Sequence, residues 1–149
     1  MKVYLIRHGY YSADEDLSES GRKQVLDAAD FLKQQNLDFA QIRLLTSDLR
    51  RALSSTEIIK TTLGLTEHAV AGWLINGTKS NIPDLIDTFF QENPECRIVV
   101  AVGHMPEIER AVDAYARRFG VKFSANAKNG SVHFVDTETK EVAEIFCPS

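Results

Sequence analysis

The sequence predicts an α/β sandwich of three layers, helix over sheet over helix, with a mostly parallel central sheet. Three observations lead there. Short β-branched runs alternate with amphipathic helical stretches along most of the chain, the pattern of parallel strands joined by helical crossovers and covered on both faces. Two late runs flank a polar turn, as in an antiparallel hairpin. The 149 residues, 44% apolar and 26% charged, suit a single folded domain over 1–149 and exclude extended disorder, a collagen-like chain or a coiled coil.

Each element has its own signal. Val3, Tyr4, Leu5 and Ile6 form a buried strand that feeds a loop at Gly9, and this loop carries residues 10–16. From Ser18, a plausible N-cap, the positions Val25, Ala28, Ala29, Phe31 and Leu32 have helical spacing, and the helix ends near Gln35. Residues 42–46 are a second strand. Ser47 then caps a helix with Leu49, Ala52, Leu53, Ile59 and Leu63 inward and Gly64 as its stop. Residues 66–81 read as irregular, with Gly72, the lone Trp73 and an Asn76-Gly77 turn signal. A helix over 82–92 precedes the most continuous buried strand, 97–102. After Gly103-His104-Met105, Pro106 suits the first position of a helix with Ile108, Ala111, Val112, Tyr115 and Phe119 on one face. The hairpin strands are 131–135 and 141–146.

Charge narrows the possible partners. With 17 Lys and Arg against 21 Asp and Glu, the net charge of −4 gives no global attraction for nucleic acid or anionic lipid, so neither is expected as a partner. Cys96 and Cys147 are too few for a disulfide framework or a metal cluster, which fits a reducing, cytoplasmic setting without metal or other cofactor. The N-terminus has no signal-peptide pattern, and the longest apolar run, 98–102, is far too short to span a bilayer.

The chemistry gathers at strand ends. In parallel α/β sheets ligands bind outside the carboxyl ends of the strands. Three such ends carry Arg7-His8, Ser47 with Arg50-Arg51, and His104, beside helix starts at 48 and 106. Helix N-termini favour an anion, and guanidinium forks match phosphate oxygens. A neutral imidazole beside phosphorus is a competent nucleophile, kept unprotonated by the surrounding cations. Phosphoryl transfer through a phosphohistidine is the chemistry these residues suit.

These residues resemble the histidine phosphatase superfamily, also called the phosphoglycerate mutase-like family. Its Arg-His-Gly hallmark stands as Arg7-His8-Gly9, and its Leu-Ser/Thr-x-x-Gly pattern as Leu17-Ser18-Glu19-Ser20-Gly21. Its Ser-x-Leu-x-Arg-Ala block is Ser47-Asp48-Leu49-Arg50-Arg51-Ala52, which puts Arg51, not Arg50, in register with the phosphate-binding arginine. Its second histidine is His104, and Asn129-Gly130-Ser131-Val132 resembles the family's entry to the late strand. A lone Arg-His-Gly is a weak signal; four ordered blocks at strand ends are a strong one. The resemblance implies a phosphoglycerate mutase-like fold, His8 as nucleophile, and Arg7, Arg51 and His104 on the phosphoryl oxygens. It also implies a close approach of the loop backbone at Gly9; Ser47 and Tyr10, by their place beside these residues, are candidate substrate contacts.

The chain departs from the fuller family members where they carry a general acid. Residues 73–77 offer no carboxylate, Met105 follows His104 where one branch has Asp, and the Gly-x-x-x-x-Asn after the first histidine is missing. An alkoxide leaving group benefits from a proton donor, whereas imidazole, with a pKa of about 6.5, leaves readily once protonated. A P–N substrate is therefore favoured, and the small size resembles the bacterial phosphohistidine phosphatases, which act on phosphorylated proteins. The alternatives are a phosphomonoesterase for a small phosphorylated metabolite, with Asp14, Glu15 or Asp16 as the acid, and a phosphate-binding module without turnover.

The remaining polar residues have plainer readings. Arg50 reads as a solvated helix arginine paired with Asp48 or Glu57, and the run 14–16 as a solvated loop. His68 and His133 read as surface or sheet histidines, Trp73 as local packing, Tyr11 as either an exposed loop residue or a substrate contact, and Cys147 as inert.

Overall fold

The computed structural model describes residues 1–75 and 81–148. In chain order the elements are β1 (Lys2–Arg7), α1 (Glu19–Lys33), β2 (Ile42–Thr46), α2 (Arg50–Leu63), β3 (Ala69–Val70), α3 (Ile82–Glu92), β4 (Ile98–Gly103), α4 (Glu107–Phe119), β5 (Val132–Asp136) and β6 (Glu141–Phe146), with short 3-10 turns at Phe39–Gln41 and Gly72–Leu74. The sheet runs β3-β2-β4-β1-β5-β6. Its first four strands are parallel, β5 lies antiparallel to β1, and β6 returns antiparallel to β5.

Period-two alternation in the central strands divides the core between two faces. Tyr4 and Ile6, Leu44, and Val100 and Val102 face α1 and α2, meeting Val25, Ala29, Leu32, Ile59 and Leu63. Val3 and Leu5, Leu45, and Val99 and Ala101 face α3 and α4, meeting Ile86, Phe90, Ile108, Val112 and Tyr115. Both faces of β4 are therefore dry, which explains its unbroken apolar run. None of the described helices is long and apolar enough to cross a membrane.

Several boundaries differ from the sequence reading. Ser47 does not cap α2: the N-cap is Leu49, with no side-chain cap, because the Ser47 hydroxyl is engaged by His104. The helices at the strand ends thus begin at Arg50 and Glu107, and Pro106 is the N-cap of α4, not its first residue. The stretch 66–81 is not wholly irregular, since Ala69 and Val70 extend the sheet beside Leu45 and Thr46 and a 3-10 turn follows. The Asn76-Gly77 signal lies outside the described residues. Ser18 does cap α1, accepting from the Gly21 N–H at 3.0 Å, and Gly64 ends α2 in the left-handed conformation, φ 71°.

Candidate active site

Register alone brings the polar strand ends together. Arg7 pairs with Gly103 and Thr46 with Val102, so His8, His104 and Ser47, each one residue past its strand, stand side by side at the carboxyl edge of the sheet. The His8 N–H donates to the Gly103 carbonyl (3.1 Å) and the Ser47 N–H to the Val102 carbonyl (3.3 Å), continuing the ladder to those residues. The two imidazoles lie 4.9 Å apart between ring centroids, and both histidines are buried. Arg51, in the first turn of α2, reaches across to them.

The hydrogen bonds fix the His8 tautomer. His8 Nδ1 is 2.8 Å from the Gly9 carbonyl, which can only accept, and Nε2 is 3.3 Å from Arg51 Nε, which can only donate. The proton is therefore on Nδ1, and the Nε2 lone pair faces the arginine. Burial, more than the neighbouring Arg51 and Arg7, lowers the His8 pKa to about 4, so the ring is neutral at pH 7. The sequence reading gave that role to the cations; desolvation is the larger cause. His104 is lowered to about 3 by burial and then by His8, Arg51 and Arg7. Its Nε2 lies 2.6 Å from the Ser47 hydroxyl, which leaves Nδ1 as its other ring nitrogen.

The arginines differ in their surroundings. Arg7 Nη1 donates to the Ala127 carbonyl (2.8 Å) and lies 3.8 Å from Met105 Sδ. Arg51 has an exposure of 17%, lies 4.3 Å from the Tyr11 ring centroid and pairs through Nη1 with Glu15 at 3.0 Å. Arg50 is 63% exposed and pairs with Asp16 at 3.4 Å, not with Asp48 or Glu57. Neither α2 nor α4 has a side-chain cap, so their first-turn N–H groups add positive potential at this edge.

The loop 10–16 is pinned at both ends. Tyr11 bridges to Leu17, and Asp16 accepts from Ser54 (2.6 Å) and from its neighbour's N–H at Leu17 (2.7 Å) while pairing with Arg22 and Arg50. Asp14 accepts from Ser12 and from the Asp16 N–H. These bonds lower the pKa of both aspartates. Of the three acids, Glu15, at φ 69°, is the one that touches Arg51. Tyr10 is 57% exposed and its ring lies against Tyr11, whose own ring stands edge-on to His8 at 5.7 Å. Gly9 is pressed against Gly21 and Val25 of α1, where a side chain would overlap the helix. His68 lies beside Lys60 and Glu57, and His133 is buried in β5. Trp73 packs against the α3–α4 core, and Cys147 is exposed.

The packing of Tyr11 against His8 and Arg51 and the Ser47–His104 bond are features that sequence reasoning missed, and no local pattern marks either contact. Among the described residues no three His, Cys, Asp or Glu side chains are grouped to hold a metal ion. Two neutral imidazoles, two guanidiniums and two uncapped helix starts can hold a tetrahedral anion beside the His8 Nε2 lone pair, which accepts from Arg51 until an anion draws that guanidinium away.

Comparison with known proteins bears on the N-terminal segment and on the fold. Residues 3–73, which include Arg7, His8 and Arg51, match the model of the histidine phosphatase superfamily (branch 1). No curated protein matches the chain in sequence. Among solved structures, the protein histidine phosphatase SixA complexed with tungstate superposes with a TM-score of 0.75 at 20% identity, over 98% of this chain and 95% of that one. A putative phosphohistidine phosphatase SixA from Agrobacterium tumefaciens gives 0.70 at 19%, over 96% and 95%. A mycobacterial glucosyl-3-phosphoglycerate phosphatase gives 0.68 at 19%, over 91% and 89%. The N-terminal segment carrying Arg7-His8-Gly9, just under half of the chain, is thus similar in sequence to the histidine phosphatase superfamily, and the fold is shared with these phosphatases along nearly the whole length.

Proposed function

We propose that the protein is a phosphatase that works through a phosphohistidine on His8 and removes phosphate from phosphohistidine on a protein. The observation that carries the reading is the fixed tautomer of His8: Nδ1–H is held by the Gly9 carbonyl and the Nε2 lone pair lies next to Arg51. In the first step Nε2 attacks phosphorus while Arg7, Arg51 and His104 take the non-bridging oxygens. The P–N bond to the substrate breaks, and the substrate imidazole, which carries its proton on the other ring nitrogen, takes the bonding pair and departs as neutral imidazole. Water then attacks the phosphorus on His8, giving inorganic phosphate and free enzyme.

Two features support a protein substrate with a nitrogen leaving group. Exposed Tyr10, Tyr11 and Met105 cluster around the site, an apolar rim that suits a polypeptide better than a small anion. Asp14 and Asp16 are held ionised in the loop, where they make poor proton donors. The contact between Glu15 and Arg51 favours a second reading, a small-metabolite phosphomonoesterase. An entering phosphoryl group that takes Arg51 releases Glu15 next to the leaving-group oxygen, where it can act as general acid.

Steady-state assays with a phosphorylated histidine protein, an aryl phosphate and an alkyl phosphate separate these readings. The expected order places phosphohistidine well ahead of alkyl phosphate, and His8→Ala lowers kcat by at least about 10³-fold on every substrate that is turned over. Glu15→Gln leaves phosphohistidine turnover intact. Alkyl phosphate turnover that equals phosphohistidine and collapses in Glu15→Gln would instead establish the esterase, and no turnover of any substrate would leave a binding module.

A further inference from the structure

We propose that Glu109 is a positioning residue for Arg7, acting through Ala127. The stretch between the end of α4 and the start of β5 lies across α4 as a strap. The Ala125 N–H donates to Asp113 Oδ1 (3.4 Å) and the Ala127 N–H to Glu109 Oε2 (3.0 Å). Asp113 and Glu109 are four residues apart and share a helix face, while Ala125 and Ala127 are two apart and share a side of an extended segment. The two carboxylates therefore match the two N–H groups as a pair, and fix how far along α4 the strap sits.

The other side of the strap holds the catalytic tip of β1. The Ala127 carbonyl accepts from Arg7 Nη1 (2.8 Å), Asn129 Nδ2 donates to the His8 carbonyl (3.1 Å), and the Gly130 N–H donates to the Arg7 carbonyl (2.9 Å). Arg7 Nε is buried and makes no hydrogen bond among the described residues, and the Met105 sulfur is a weak acceptor. Ala127 O is thus the oxygen that aims the Arg7 guanidinium, and Ala127, wholly buried, has its N–H tied to Glu109. A carboxylate accepting from a backbone N–H is a charge-assisted bond, strong enough to hold such a register. Because α4 begins just after His104, one helix then sets His104 directly and Arg7 through the strap.

The inference rests on Arg7 serving the phosphoryl site of the proposed phosphatase, so its test includes a measurement that needs no substrate. NMR relaxation of the Arg7 and Arg51 Nε–H groups is compared in wild type, Glu109→Ala, Glu109→Gln and Asp113→Ala, alongside kcat and KM on an aryl phosphate and tungstate affinity by calorimetry. Glu109→Ala is expected to loosen Arg7 but not Arg51, and to cost about 10-fold in kcat and in tungstate affinity, since displacements of an ångström in a positioning group are felt at that scale. Glu109→Gln keeps an acceptor oxygen for the Ala127 N–H and stays within about 3-fold of wild type. Asp113→Ala removes the longer, 3.4 Å strap bond and keeps the Ala127–Glu109 bond, so it is expected to loosen Arg7 less than Glu109→Ala does at a comparable loss of stability.

Double-mutant cycles then locate the effect. Adding Glu109→Ala to Arg7→Lys should cost little, whereas adding it to Arg51→Lys should cost the full factor. Equal costs in both backgrounds, unchanged Arg7 order in Glu109→Ala, or a Glu109→Gln protein as impaired as Glu109→Ala would each overturn the assignment. A wild type that turns over neither a phosphorylated histidine protein nor a phosphate ester would remove the phosphatase reading and still leave the Arg7 relaxation result to decide this one.

Discussion

At the scale of single residues, the two adjacent arginines of α2 give the sharpest contrast. They are one residue apart on a helix, about 100° around its axis, so only one can face the site. Arg51 is the one next to His8, shielded by Tyr11, while Arg50 turns outward to Asp16. Arg51→Ala should lower kcat/KM by about 10²-fold or more, the usual cost of removing a charged donor aimed at a reacting oxyanion, whereas Arg50→Ala should stay within about 3-fold. Steady-state kinetics on one phosphorylated substrate measures both, and equal losses would show that both guanidiniums serve the site. The side chains that the structure brings together, Arg7, His8, Arg51 and His104, were legible because each follows a strand in a recognisable block. Ser47 and Tyr11 were legible as candidate contacts, but their partners were not. A serine ahead of a helix looks like an N-cap, and the bond that recruits it comes from His104, 57 positions along the chain. Tyr10 and Tyr11 are equivalent in sequence, and only the bridge of Tyr11 to Leu17 determines which ring reaches His8.

At the scale of elements, long periodic segments were legible nearly to the residue, and short or capped ones were not. The bounds of β2, α3 and β6 agree with the apolar pattern, because each has enough residues to show a period and clear punctuation on both sides. β3 has two exposed residues and no period to read; its place is set by pairing with β2. The loop after β1 illustrates what a pattern match leaves out. Gly9 and Gly21, both in the resemblance, are neighbours in space, and a methyl group on Gly21 would overlap the Tyr10 carbonyl. The same Tyr10 carbonyl accepts from the Ser18 N–H and hydroxyl, so the start of α1 is the seat of the loop that carries Tyr11 and Glu15. Gly21→Ala should therefore cost about 1–3 kcal/mol of stability, the range for forced overpacking, and should also lower activity by moving that loop. Urea denaturation and kcat/KM on the same variant check both, and a variant of wild-type stability would show that the loop yields without resistance.

For the whole molecule, a net charge of −4 and a cationic site are compatible because charge is distributed, not averaged. The fold gathers Arg7 and Arg51 at the carboxyl edge of the sheet and keeps the two imidazoles beside them neutral by burial. That neutrality carries a cost in acid. The folded pKa values of His8 and His104, about 4 and about 3, lie below the unfolded value of 6.5, so between those limits the unfolded chain binds more protons than the folded one. Stability is then fully present above pH 6.5 and falls as pH drops toward 4, by up to about 1.4 kcal/mol per pH unit for each histidine. His133, lowered by burial in β5, adds to the same slope. Asp14 and Asp16, whose pKa values are lowered, lose their contribution only below their unfolded value of 3.8, a separate and more acidic window. Denaturant titrations at pH 7, 6 and 5 should show the wild type losing stability steadily, while a His8→Asn, His104→Asn double variant keeps only the shallower slope of His133. A wild type as stable at pH 5 as at pH 7 would mean that the two rings take up protons inside the fold, and the neutral nucleophile on which the proposed chemistry depends would go with it.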